Sequence, residues 1–212
     1  MNESIKKANL IKFETIVKNL ENRNMEAFCC DTAEEACDKA LSMIKRGASV
    51  GCGGSVTIRE IGLLDKLAAR GDAALESAKP PNPEEAYEHL RTIMMSDVFL
   101  TSANAITMDG KIVNIDARGN RVAAFICGPK EVIVIVGANK IVESEGKAIA
   151  RIKTDACPPN AVRLGRKTSC AVTGHCSDCL FDQTMCCHTV VTRYNAMPGR
   201  IKVILVNENL GF

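Results

Sequence analysis

Residues 168–190, TSCAVTGHCSDCLFDQTMCCHTV, carry five cysteines and two histidines in one short run. Cys170, Cys176, Cys179 and Cys186 are spaced C-x5-C-x2-C-x6-C. Thiolates are soft donors suited to zinc or to iron–sulfur clusters. Zinc ribbons and fingers bring two paired C-x2-4-C knuckles from separate turns, and only one such pair is present. Three thiols close together with a fourth downstream are nearer to iron–sulfur ligation, although the spacing follows neither standard ferredoxin pattern. Gly174 and Ser177 would let a loop wrap a cluster, while His175 and His188 keep zinc open as the alternative. Thiols with no metal at all are the third reading. The chain has eleven cysteines, an odd number, and its N-terminus lacks the apolar core of an export signal. A cytoplasmic protein with reduced thiols is therefore expected rather than a disulfide framework.

Two further stretches could bind or transform a ligand. GCGGSVT, residues 51–57, follows an apolar run and precedes a helical one. A turn of this kind can aim backbone N–H groups of Gly53, Gly54 and Ser55 at a phosphate, a carboxylate or a pyrophosphate. The plain alternative is a tight turn that needs glycine for steric reasons. In NAITMDGKIVNIDARGNR, residues 104–121, the polar residues Asn104, Thr107, Asp109, Asn114, Asp116, Asn120 and Arg121 crowd together. A hairpin turn at Asp109–Gly110 accounts for some of them but not for the set. Asn104, Thr107, Asp116, Asn120 and Arg121 are accordingly candidate ligand-binding residues for a small anionic substrate or cofactor. Arg121 could clamp a carboxylate or simply pair with Asp116. Glu208, just beyond the last apolar run, and Asp116 are the candidates for acid–base catalysis.

The elements that must position these residues follow from periodicity. Leu10, Phe13, Val17 and Leu20 mark a helix over about 2–22. Thr32 and Glu35 form a capping box for the next helix, with Gly47 as its stop. A further helix begins near Ser55. After a linker at 79–81, another begins with Asn82 as its cap and Pro83 at its first position. Apolar runs at 48–52, 97–101, 131–136 and 201–206 read as neighbouring, buried, mainly parallel strands, because a sheet covered on both faces needs continuous apolar segments. Residues 143–156 and 157–167 read as helical. The fold class is α/β, with a mostly parallel Rossmann-like sheet, helices on both faces and one domain over 1–212. A Cys-rich segment at 157–190 is inserted before the last strand.

Composition narrows the function. Hydrophobic residues make up 46% and charged residues 25%, ordinary for a globular chain of 212 residues. The net charge is +2 with no basic stripe and no tryptophan, which argues against nucleic acid as a partner. No run approaches the roughly 18 apolar residues of a membrane span.

GCGGSVTIREIGLLDKL, TSANAITMDGKIVNIDARGNRVAAFICGPKEVIVIVGANKIV and VILVNENLGF together resemble the LUD domain family, which includes a lactate-utilisation protein. The resemblance covers nearly the whole chain. It implies a sheet of the NagB/RpiA/CoA-transferase-like type and a link to oxidation of L-lactate to pyruvate by an iron–sulfur-containing complex, hence redox protein partners. Short stand-alone members similar to this chain carry the same Cys-rich C-terminal segment. Cys170, Cys176, Cys179 and Cys186 occupy its matching places, which implies a [4Fe–4S] cluster as cofactor, with zinc as the alternative. Cys187 stands where the family more often has Asn, so either member of that pair could be the fourth ligand. The resemblance implies an iron–sulfur redox or electron-transfer component. The alternative is a non-catalytic ligand-binding or regulatory protein with a structural zinc site.

Overall fold

The computed structural model describes residues 2–76 and 82–212. The linker read at 79–81 falls outside them. In chain order the elements are α1 (Glu3–Glu21), β1 (Glu26–Cys30), α2 (Ala33–Met43), β2 (Val50–Cys52), α3 (Val56–Glu60), α4 (Leu63–Ala69), β3 (Ala74–Glu76), α5 (Pro83–Met94) and β4 (Val98–Thr101). There follow β5 (Ala105–Thr107), β6 (Ile112–Asp116), α6 (Asn120–Ile126), β7 (Glu131–Gly137), β8 (Ile141–Val142), α7 (Glu145–Arg151), α8 (Cys157–Arg163), α9 (Ser169–Thr173), β9 (His188–Thr192) and β10 (Ile201–Val206).

Six strands form a wholly parallel sheet in the order β1-β10-β7-β4-β2-β3. The four apolar runs expected to be neighbours are therefore adjacent and parallel. Their alternation explains why the sequence shows unbroken apolar stretches. Successive strand side chains point to opposite faces. Ile133, Ile135, Ile204 and Leu100 pack with Ala36 and Cys37 of α2, Ile58 of α3 and Leu67 of α4 on one face. Val132, Val134, Val203 and Phe99 pack with Phe13, Ile16 and Leu20 of α1 and Phe125 of α6 on the other. Each face demands its own apolar residue, which leaves the central strands almost no polar position.

The helix boundaries follow the capping chemistry. Asn2, Thr32 and Asn82 each accept a backbone N–H of the helix they precede. The Thr32 box is closed from one residue earlier than expected, because Glu35 accepts from the N–H of Asp31 at 2.8 Å. Gly47 has φ +75° but lies in the turn beyond α2, which already ends at Met43. The helix after the glycine turn is broken in two by Gly62, at φ +70°.

A second sheet, β8-β5-β6-β9, goes beyond the elements expected from the sequence. Asp109–Gly110 does turn the hairpin β5–β6, with Gly110 at φ +83° pressed against the backbone of Asn19. Its outer neighbour is β9, antiparallel to β6 from Asp116↔His188 to Ile112↔Thr192. Residues 188–190, expected within the Cys-rich insertion, thus belong to a sheet strand. One face of this sheet joins the main core through Ile106 and Ile112, and the other packs on Ala148 and Ile152. Beyond α7 the helix widens into a π turn over Ile152–Ala156. Pro158 and Pro159 lack the amide donors that an α-helix would direct at the carbonyls of residues 154 and 155.

Candidate functional site

The chain enters the main sheet's central region by β2, steps outward to β3 and returns across β2 to β4. A parallel sheet opens a crevice at the carboxyl ends of the strands where the winding reverses. Here that crevice lies between the loops after β2 and β4, and the hairpin β5–β6 with α6 forms its opposite wall. The result is a cleft of about 320 Å³. Gly53, Gly54, Ser55, Asn104, Asp116, Asn120 and Arg121 all line it. The glycine turn and the polar hairpin, separated by some fifty residues in sequence, face one space.

The glycines of the turn are not held there by crowding. A Cβ at Gly53 would meet only ordinary contacts, and at Gly54 nothing among the described residues lies within 4 Å. Gly51 is different: a Cβ there would sit 3.0 Å from the backbone oxygen of Ile93 in α5 and 2.8 Å from Ser96 Oγ just beyond it, so the close approach of α5 to β2 favours glycine at this position. Ser55 caps the short helix α3, accepting from the N–H of Ile58 at 3.4 Å.

On the hairpin wall the polar residues are bound into one network. Arg121 Nε donates to Asp116 Oδ1 at 2.8 Å, and Arg121 Nη2 donates to Asn104 Oδ1 at 2.6 Å and to the carbonyl of Ile115 at 2.9 Å. Asp116 Oδ2 accepts from the N–H of Val122 at 3.1 Å, which caps α6 where Gly119 cannot. Asn104 Oδ1 also accepts from the N–H of Ile115, and Asn114 Oδ1 accepts from the N–H of Asn104. The pairing of Arg121 with Asp116 is therefore present, and Asp116 is tied up by it. Arg121 Nη1 makes no hydrogen bond among the described residues, and the residue lines the cleft.

Two predicted site residues lie elsewhere. Thr107 is fully buried in the hairpin turn, where its Oγ1 donates to Asp109 and accepts from the N–H of Lys111. Glu208 does not line the cleft; its backbone carbonyl accepts from the N–H of Ala138 at 2.8 Å, which joins the chain's end to β7. Thr107 thus sits in the hairpin turn and Glu208 off the cleft wall.

The residue that sequence reasoning missed is Lys140. It follows the most apolar strand, in GANKIV, as the only cation of that stretch. It is 3% exposed, lines the cleft, and its Nζ donates to Thr57 Oγ1 at 2.9 Å and Ser102 Oγ at 3.0 Å. Among the described residues it forms no ion pair with a carboxylate. Burial, and then the nearby Arg151 and Arg121 guanidinium groups, push its amine down to about 7, with Glu60 opposing them. Arg118, Arg163 and Arg166 also line the cleft, while Asp116 is the only carboxylate side chain among the lining residues. The space is electropositive and suits an anion.

Whether the thiols form a metal site depends on their own geometry. Cys157, at the cleft's edge, touches Cys186, with Sγ–Sγ 3.5 Å. The hydrogen bond from Cys157 and the charge of Lys153 bring Cys186 down to about 7, while that bond and burial push Cys157 up. Cys170 is buried beside Thr168, and Cys179 Sγ accepts from Thr184. Among the described residues no three His, Cys, Asp or Glu side chains are placed to hold a metal ion. Cys170, Cys176, Cys179 and Cys186 are thus not gathered as one ready-made set, and Cys157 has taken the place beside Cys186. Of the upstream cysteines, Cys30, Cys37 and Cys52 are buried, whereas Cys29 and Cys127 are exposed. His188 begins β9 with its ring against Gly119. No helix among the described residues is long and apolar enough to cross a membrane.

The family model of the LUD domain matches residues 13–206. No curated protein matches. Among solved structures, a DUF162 family protein from Deinococcus radiodurans is similar in fold, with a TM-score of 0.52 and 17% identity, over 95% of this chain and 98% of that one.

Proposed function

The chain belongs to the LUD domain family, and on that premise we propose that it serves lactate utilisation by holding a small α-hydroxy or α-keto acid in the cleft. Family membership supports a role related to lactate utilisation. The observation that carries the finer reading is the charge of the cleft walls: Arg118, Arg121, Arg163 and Arg166 face a space where Asp116, the one carboxylate side chain among the described lining residues, is already paired. A carboxylate ligand is what such a wall attracts, and a volume of about 320 Å³ is within the range of small-molecule sites.

Calorimetric titration with L-lactate and with pyruvate tests this. Arg118 and Arg166 line the cleft outside the Asp116 network, so the double reversal Arg118→Glu/Arg166→Glu leaves the hairpin wall intact. It should weaken acid binding at least about tenfold, equivalent to about 1.4 kcal/mol. Unchanged binding in the double variant, or none in the wild type, removes the reading.

We further propose a redox role, which rests on donor chemistry alone. Cys170, Cys176, Cys179 and Cys186 would hold a [4Fe–4S] cluster, which supplies one-electron transfer when bound. A second reading is favoured by the Cys157–Cys186 contact. Two thiolates bound at about 2.3 Å to one tetrahedral ion lie roughly 3.8 Å apart, close to the separation found. That contact suits a single structural zinc ion better than a cluster. Anaerobic purification with iron, sulfide and zinc analysis separates the two. Iron with sulfide and an absorbance at about 400 nm bleached by dithionite supports the first, and zinc without iron supports the second.

A further inference from the structure

Lys140 is the most buried cation on the cleft wall, and its surroundings are unusual for a structural lysine. A buried ammonium is normally offset by a carboxylate, because removing a charge from water costs several kcal/mol. Here the nitrogen has two hydroxyl partners, Thr57 Oγ1 at 2.9 Å and Ser102 Oγ at 3.0 Å, and no carboxylate among the described residues. Two acceptors match the two N–H donors of a neutral amine and leave its lone pair available. An ammonium would carry a third donor with no partner. Guanidinium groups on neighbouring elements, Arg121 on α6 and Arg151 on α7, disfavour the charged form further. Desolvation and an adjacent cation are the two devices that turn a lysine into a nucleophile toward carbonyl groups.

We propose that Lys140 captures the keto group of a small α-keto acid as an imine, with Arg121 receiving the acid's carboxylate. The proposal deepens the reading of the cleft as an α-hydroxy or α-keto acid site and rests on it. The lone pair of Nζ forms a bond to the carbonyl carbon, and the carbonyl oxygen becomes the hydroxyl of a carbinolamine. That oxygen then departs as water while the C=N double bond forms. Both protons lost by the nitrogen leave with the water, and Thr57 and Ser102 are the hydroxyls in reach to carry them. No electrons are exchanged with an oxidant or reductant. The C-terminal segment closes over the site: a Cβ at Gly211 would stand 3.2 Å from Nζ and nearer still to Thr57, so this approach requires glycine.

Reductive trapping tests the proposal on the full chain. Pyruvate and sodium cyanoborohydride are added at pH 7, and the digested protein is mapped by mass spectrometry. At this pH an amine titrating at about 7 is roughly half neutral, whereas an ordinary lysine at about 10.4 is neutral in about one copy in 2,500. A carboxyethyl adduct should therefore appear on the peptide carrying Lys140 before any other, and L-lactate, which has no keto group, should protect it. The adduct rate at Lys140 should level off above pH about 8, while rates at exposed lysines keep rising. The groups that set this profile are Arg121 and Arg151, which lower the amine, and Glu60, which raises it. Lys140→Arg keeps a cation and should lose the adduct. Should that variant fail to fold, lactate protection in the wild-type chain decides the question. Binding of both acids with no adduct at Lys140, or adducts only on exposed lysines, overturns the imine and leaves the cleft reading standing. Absence of binding by either acid overturns both.

Discussion

Replacing Lys140 by methionine should make this protein more stable, and the size of the gain follows from the site. Methionine has similar length, no charge and flexible packing. In the wild type the amine titrates at about 7 rather than its ordinary 10.5, because burial and two nearby guanidinium groups oppose the charge. At about 1.36 kcal/mol per pH unit this gap corresponds to roughly 5 kcal/mol of penalty below pH 7. The variant leaves the Thr57 and Ser102 hydroxyls without the amine, at about 1 kcal/mol each. A net gain of about 3 kcal/mol remains, or about 6–12 °C in Tm for a chain of this size. The pH dependence is the sharper signature. Between pH 7 and 10.5 the unfolded chain keeps a proton on Lys140 that the folded chain has released, so wild-type stability falls with rising acidity and is lower at pH 7 than at 10.5 through this group. The advantage of Lys140→Met should thus be greatest below pH about 7 and shrink toward pH about 10.5. Urea denaturation followed by far-UV circular dichroism measures it, since the chain has no tryptophan to report by fluorescence. A variant less stable than wild type at neutral pH, or a difference that does not change with pH, would refute the reasoning.

Asp116→Ala should cost about 2 kcal/mol, below the range for a fully buried pair because the Arg121 side chain is 21% exposed. It should also speed hydrogen exchange at the Val122 amide, which Asp116 caps; unchanged protection there would show the cap to be dispensable. Gly110→Ala should cost about 2 kcal/mol or more, since the residue sits at φ +83° with its Cβ position 2.8 Å from the Asn19 backbone carbon. Denaturation midpoints would decide it, and a loss below about 0.5 kcal/mol would mean that α1 yields easily to the hairpin.

Much of the architecture is written locally. The central strands are apolar on both faces, so the sequence alone marks Val132–Val136 and Ile201–Val206 as interior to a covered parallel sheet. Asn2, Thr32 and Asn82 start their helices by reaching N–H groups within three residues, and Asp109–Gly110 turns its hairpin in the same way. The polar crowding around Asn104, Asp116 and Arg121 also signalled a site, because a hairpin turn alone needs few of those groups. What the chain could not declare is whatever depends on partners far along it. The pairing of β6 with β9 joins residues about seventy-five apart, and nothing local to either strand specifies the other as its partner. Thr107 and Asn104 are alike in the sequence, yet one closes a turn and the other lines the cleft, which is decided by the facing of a three-residue strand. Cys157 meets Cys186 only because a helix and a loop fold onto each other. Lys140 is the clearest case: as a residue type it reads as a surface charge, and only the closure of β2, β4 and the C-terminal segment around it removes its water. Propensity and capping act within a few residues and can be read from them, whereas burial and its effect on an amine are properties of neighbours that only the tertiary fold brings together.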